Sequence, residues 1–394
     1  MNRSRSIFLA VSLAVLLPVA SGVLWSSVDA TRDDDGQDSL YKYLAIFSEV
    51  FGLVRSNYVD APNSDALLGG ALEGVGDALD PFSALVPSDA IGDYDRAQKL
   101  SRVRSGLVLV KDHGIVYVVS VDDGSPAATA GLRQGDLVAD IDGQDTRLSP
   151  LWRIEAKLAG EAGQQILLRL LRDGGTIEKK LTLGDYAVAP PTVAEVRGLP
   201  MLHLAALGPG TAAAVRDLVT PLAATSRAQL LIDLRGVAGG EASEAYAVGA
   251  LFSQGKLGQL DERGKSVRDF TSAAKPVWSG EIVVLVDAAT LGPAEILASI
   301  LHDAAKARLV GLKTFGWAGE RSFVAVSGGA QLHLTTAFYT GPSGKPISEG
   351  LAPDVLVDDL SRTFDEADRP LRDLILDRGI EVLRGDVDSA RKAA

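Results

Sequence analysis

The sequence predicts a multidomain chain of mixed α/β and α+β class, with a helical N-terminal region, a β-rich module and an α/β core. Three observations point there. Glu281-Ile-Val-Val-Leu-Val-Asp287 is a short β-branched run, followed after a turn by an apolar helical pattern from Ala294 to Lys306, which reads as strand, turn and helix. Residues 105 to 172 hold several short β-branched segments separated by Gly-rich turns. From Tyr41 to Asp95 the apolar residues recur at helical spacing, with Leu44, Phe47, Val50, Phe51 and Val54 on one face.

At the N-terminus, Arg3 and Arg5 precede a nearly uninterrupted apolar run from Ile7 to Trp25. This is an export signal, close to the ~20 residues needed to span a bilayer. Ser27-Val-Asp-Ala30 is a poor small-x-small cleavage site, which leaves both a cleaved signal and a retained anchor open over residues 1–30. Either outcome places the rest in the periplasm or on the extracytoplasmic face of a membrane. Thr31-Arg-Asp-Asp-Asp-Gly-Gln-Asp38 then reads as an acidic linker, and residues 31–100 as linker plus a small amphipathic bundle that packs on the core or on a second subunit.

Residues 101–185 form the β-rich module. Ser125-Pro126-Ala127 starts a short helix, Gly131 stops it, and Gln134-Gly135-Asp136 turns into a strand. Ala187-Val-Ala-Pro-Pro191 is an extended linker, because Pro-Pro continues neither a helix nor a central strand. The core covers residues 186–360. In it, Leu230-Leu-Ile-Asp-Leu-Arg-Gly-Val-Ala-Gly-Gly240 is a strand running into a Gly-rich loop, and Pro293 suits a first helical position. Residues 361–394 close the chain, with a helix expected over Phe364 to Arg384 whose apolar face holds Leu371, Leu374, Ile375, Ile380 and Leu383.

Composition bounds the chemistry. The 394 residues, 46% of them hydrophobic, suffice for two or three domains. There is no cysteine, hence no disulfide and no thiolate nucleophile or metal ligand. The net charge of −12 disfavours nucleic acid. His113, expected in a hairpin turn, His203 and His333 in strands, and His302 on the helix after the turn do not pair at ligand spacing. Neither a metal nor a cofactor is expected.

Three segments together carry a resemblance: Glu295-Ile296, Gly311-Leu-Lys-Thr-Phe-Gly316, and Pro342-Ser-Gly-Lys-Pro-Ile-Ser-Glu-Gly-Leu-Ala-Pro-Asp354. They are similar to the C-terminal-processing serine peptidases, or tail-specific proteases, whose core is an α/β fold of the ClpP/crotonase type. Ser105-Gly-Leu-Val108, Gly124 to Asp136, Leu137 to Gly143 and Ile166 to Arg172 resemble a PDZ domain of the bacterial protease type. Phe51 to Asp60 and Leu79-Asp-Pro-Phe-Ser83 are similar to the family's N-terminal segment.

The resemblance implies a degenerate site. In its register the nucleophilic serine falls on Gly292, the general-base lysine on Trp317 and the glutamine that orients it on Arg321. Neither Gly nor Trp can give or take the proton that such a dyad exchanges. The oxyanion donor that follows the nucleophile falls on Pro293, which has no N–H. Gly239 and Gly240 match the second oxyanion loop, while its asparagine is Ala238 or Val237. Gly106, Leu107 and Val108 are expected to present N–H groups to the carboxylate of a protein C-terminus, the peptide adding as a strand. The resulting expectation is an exported, peptide-binding pseudopeptidase. Two alternatives stand beside it: an active enzyme using Thr290 or Ser299 with Lys313 as base, and a scaffold that holds a catalytic paralogue in a mixed oligomer or forms a homo-oligomer.

Overall fold

The computed structural model describes residues 34–224, 229–357 and 372–385. The chain divides into an N-terminal unit, Met1–Ala71, and a large unit, Leu72–Ala394. Within the first, helix α1 is Asp34–Asn57, and α2, Ser64–Asp77, begins there and crosses the division. The Asn63 side chain starts α2 by accepting from the N–H groups of Asp65 and Ala66, at 2.9 and 3.1 Å. On α1 the rings of Phe47 and Phe51 lie one turn apart, their centroids 6.1 Å from each other.

The expected helical run to Asp95 is interrupted. Asp80 Oδ1 accepts from the N–H groups of Phe82 and Ser83, both at 2.8 Å, and turns the chain. Strand β1, Ala84–Val86, follows, and pairs antiparallel with a strand about 250 residues away (Ala84 opposite His333). Helix resumes as α3, Ile91–Ser105. Long-range pairing has overridden local propensity here.

The β-rich module is built from β2 Leu107–Asp112, β3 Ile115–Val121, the short helix α4 Pro126–Thr129, β4 Leu137–Ile141, β5 Gln144–Asp145, α5 Leu151–Leu158, β6 Gln165–Arg172 and β7 Gly175–Thr182. The strands lie in the order β2-β3-β4-β6-β7, with β5 paired to β4. As expected, Ser125 caps α4, its Oγ accepting from Ala128 N–H at 3.2 Å. Strand alternation sorts the side chains: Leu107, Leu109, Val116 and Val118 enter the module's own core with Ile154 and Leu158 of α5. Val110 and Val119 face the other way.

The core sheet runs β17-β14-β13-β10-β9-β8, where β8 is Thr192–Val196, β9 Leu199–His203, β10 Gln229–Asp233, β13 Glu281–Val286, β14 Arg308–Gly311 and β17 Val355–Leu356. All neighbours are parallel except the β8–β9 hairpin. One face packs on α6 Thr211–Ala223, α7 Ala242–Gly249 and α8 Pro293–Asp303 through Leu230, Ile232, Val284 and Val286. The other face packs on α9, Leu374–Arg384, through Leu231, Val283, Leu285 and Val310. This is a three-layer α/β arrangement. The α9 helix lies so close that a Cβ on Gly379 would stand 2.4 Å from Leu285 Cδ2. Residues 364–371 of the expected closing helix lie outside the described residues; within them the helix starts at Leu374, with Asp373 accepting from Leu376 N–H at 2.9 Å.

A further antiparallel sheet, which the sequence reading does not contain, joins β1 and β16 (Gln331–Thr340) to β11 (Gly255–Glu262) and β12 (Lys265–Ser272), with β15 (Gly319–Ala325) on β16. It positions the segment after Phe315 against the β-rich module.

Candidate functional site

The turn between β13 and α8 has the shape that the sequence suggests and lacks the side chain. Gly292 holds φ 64° and ψ −117°, a conformation that L-residues adopt only under strain and that nucleophile elbows exploit. A Cβ there would meet only the Trp317 carbonyl oxygen, at 3.7 Å. Space for a side chain exists, and Pro293 follows as the first helical residue.

What holds the turn is Glu295, fully buried. Its Oε2 accepts from the N–H groups of Gly292 and Trp317 at 3.0 and 2.9 Å. Its Oε1 accepts from Gly316 N–H at 2.7 Å and from the Thr314 hydroxyl at 2.5 Å. Burial pushes this carboxyl above its ordinary range, and the four donors pull the other way. Sequence reasoning uses Glu295 only to fix the register. The available signal was its place three residues after Gly292, that of a capping-box glutamate.

Trp317 is packed into an apolar cluster. Its ring lies 3.9 Å, centroid to centroid, from Phe82, and Phe82 lies 6.5 Å from Phe315. Around them are Ala238, Ala289 and Leu291 of the core and Val108, Val110, Tyr117 and Val119 of the β-rich module. The indole N–H has no partner among the described residues. The position where the resemblance expects a base thus lies in an apolar joint between the core and the β-rich module.

Arg321 goes elsewhere. Its Nη2 donates to Gln98 Oε1 of α3 at 3.1 Å, and Gln98 Nε2 donates to Glu155 Oε2 of α5 at 3.1 Å. Desolvation pushes the Glu155 carboxyl up to about 7, against the opposing pulls of Arg321 and the Gln98 hydrogen bond. In the unfolded chain the group titrates at its ordinary, lower value, so the native state binds more protons between the two. The stability contribution of Glu155 is therefore full below the ordinary carboxylate range and is lost as pH rises through about 7. Thermal melts from about pH 5 to about pH 8 check this: wild type is expected to lose ground against Glu155→Gln as pH rises, and parallel curves contradict it.

The rival nucleophiles are committed to structure. Thr290 is fully buried; its Oγ1 donates to the Leu234 carbonyl at 2.9 Å and accepts from Asp287 N–H at 3.0 Å. Ser299 Oγ donates to the Ile296 carbonyl at 2.7 Å. Lys313 lies beside Gly350, its Cε 3.2 Å from where a Cβ on that glycine would be. No hydrogen bond among the described residues joins Lys313 to either hydroxyl.

The Gly-rich loop after β10 is tied to the turn by Leu291 N–H donating to the Val237 carbonyl at 3.0 Å. Gly240 is required for close approach: at φ 125° a Cβ would stand 2.3 Å from the Leu207 carbonyl oxygen. On Gly239 the obstacle is Arg102 of α3, whose Nη1 would lie 1.5 Å from a Cβ. Arg102 is held by Asp122, at 2.7 Å from Nε and 2.6 Å from Nη2. The β-rich module is further docked on these loops by Ser120 Oγ, which donates to the Gly236 carbonyl at 2.5 Å.

The expected carboxylate-binding loop departs from expectation. Helix α3 runs up to Ser105, so Gly106 serves as its left-handed C-cap at φ 77° and donates its N–H to the Arg102 carbonyl at 2.7 Å. Leu107 N–H donates to Ser105 Oγ at 3.1 Å. Val108 contributes its side chain to the apolar cluster. Two of the three expected donors are thus engaged within the chain.

Comparison with known proteins matches residues 199–357 to peptidase family S41 and residues 117–172 to the PDZ domain. A carboxy-terminal-processing protease of Bartonella bacilliformis is 28% identical over 338 residues, covering 82% of this chain and 77% of that protein. A carboxy-terminal processing protease of Bacillus subtilis is 24% identical over 374 residues, covering 90% and 78%. Among solved structures, a photosystem II D1 C-terminal processing protease superposes with a TM-score of 0.65 at 25% identity, covering 80% of this chain and 92% of that one. With an S41 peptidase match over residues 199–357, a PDZ match over residues 117–172 and relatives of this kind along most of its length, the chain is similar to the C-terminal processing protease family.

Proposed function

We propose that this protein is an exported, peptide-binding member of that family without peptidase activity, and that its PDZ domain takes protein C-termini. The observation that carries the reading is the turn at Gly292: a strained elbow with room for a side chain and none present, walled by Trp317, Phe82 and Leu291. Support also comes from Pro293, which cannot donate to an oxyanion, and from Thr290 and Ser299, whose hydroxyls are bonded to backbone carbonyls. The apolar segment from Ile7 to Trp25 supports export.

The full-length protein, incubated at high concentration with an unfolded substrate ending in an apolar residue, is expected to show no cleavage above a buffer blank, and no labelling by a fluorophosphonate. Sustained cleavage lost in Thr290→Ala or Lys313→Ala would install the active-enzyme alternative. For the PDZ domain the measurement is calorimetry with paired peptides, one a free acid and one amidated. Binding of the free acid alone is expected, because amidation removes the charge that backbone N–H groups recognise; equal affinity for both rules out carboxylate capture.

A further inference from the structure

The carboxylate loop is closed in a specific way. Ser105 is fully buried, and its Oγ both donates to the Ser101 carbonyl, at 2.6 Å, and accepts from Leu107 N–H, at 3.1 Å. Gly106 N–H is spent on the Arg102 carbonyl at 2.7 Å, and the Gly106 carbonyl accepts from Asp122 N–H at 2.8 Å. Ser125 stands directly behind, so that a Cβ on Gly106 would lie 2.0 Å from Ser125 Cβ. The loop is a satisfied helix terminus, with every polar group just named in use.

We infer that the last turn of α3 competes with the ligand for the PDZ carboxylate site: Ser105 Oγ and the Arg102 carbonyl occupy the Leu107 and Gly106 N–H groups that a terminal carboxylate takes, so capture requires that turn to unwind. This rests on the reading that the PDZ domain captures C-termini. Its physical basis is exchange. An incoming carboxylate replaces two internal acceptors, so the ligand gains only the difference between a charged acceptor and the neutral ones it displaces. Ser105 is then the residue that limits affinity. Replacing its hydroxyl with a methyl hydrogen leaves Leu107 N–H buried without an acceptor in the free protein, a cost that a bound carboxylate relieves.

The test is calorimetry on full-length wild type and Ser105→Ala with a free-acid peptide ending in leucine, alongside amide hydrogen exchange of both proteins without peptide. Ser105→Ala is expected to tighten binding by about three- to tenfold and to speed exchange at Leu107 while leaving the β6–β7 hairpin unchanged. Binding that is the same in both proteins, with exchange at Leu107 accelerated, overturns the competition and leaves C-terminus capture standing. Exchange at Leu107 already fast in wild type also overturns it, because the bond to Ser105 would then not hold. No binding to either protein overturns the capture reading, and the competition with it.

Discussion

The double substitution Gly292→Ser with Trp317→Lys is expected to produce at most a feeble enzyme. Sterically the serine fits, since a Cβ on Gly292 meets only the Trp317 carbonyl oxygen at 3.7 Å. Its backbone strain at φ 64° and ψ −117° costs about 1–3 kcal/mol of stability. Pro293 still offers no N–H to a developing oxyanion, and the loss of one such donor lowers turnover by about a hundred- to a thousandfold. Arg102 still rests on Gly239 of the second oxyanion loop. The informative comparison is therefore with a third substitution, Pro293→Ala. The triple variant is expected to exceed the double by about a hundredfold or more in single-turnover cleavage of an unfolded protein. Equal rates would show that the proline is not what disables the restored site.

The largest effect on stability is expected at Glu295. Glu295→Ala removes the acceptor of three N–H groups, those of Gly292, Gly316 and Trp317, and of the Thr314 hydroxyl, and leaves them buried. Each unsatisfied group costs about 1–3 kcal/mol, so the loss is on the order of 4 kcal/mol or more, large against a total of about 5–15 kcal/mol. Glu295→Gln keeps the volume but turns an NH2 toward N–H donors, and is expected to recover only part. Urea unfolding measures both: the midpoint falls at unchanged slope. A loss below about 1 kcal/mol for the alanine variant would mean that water or relaxation satisfies those donors, and that the turn does not depend on this carboxyl.

Much of the core was legible because its signals are local. The β-branched run at Glu281 became β13, Pro293 took the first position of α8, and Ser125 capped α4; each depends on neighbours within a few residues. The strand β1 was not legible, because its partner β16 lies at the far end of the chain and the stretch around it is helical in period. That Gly292 and Trp317 carry neither a hydroxyl nor an amine could be read from residue identity alone. Where Arg321 points could not: the resemblance places it beside the dyad, while its hydrogen bond goes to Gln98 of α3.

The sequence by itself determined what Gly292, Pro293 and Trp317 can offer, since no packing can supply a hydroxyl to glycine, an ammonium to tryptophan or an N–H to proline. Tertiary structure alone decided what occupies the place. Trp317 meets Phe82 across more than 200 residues of chain, and Glu295 gathers donors from Thr314 to Trp317. The same division holds at the PDZ loop, where the Ser-Gly-Leu-Val motif was plain but the N–H groups of Gly106 and Leu107 were already taken by the end of α3. A backbone donor carries no mark in the sequence of whether it is free. Its partner is set by how far the preceding helix continues, and that depends on the packing of α3 against α5.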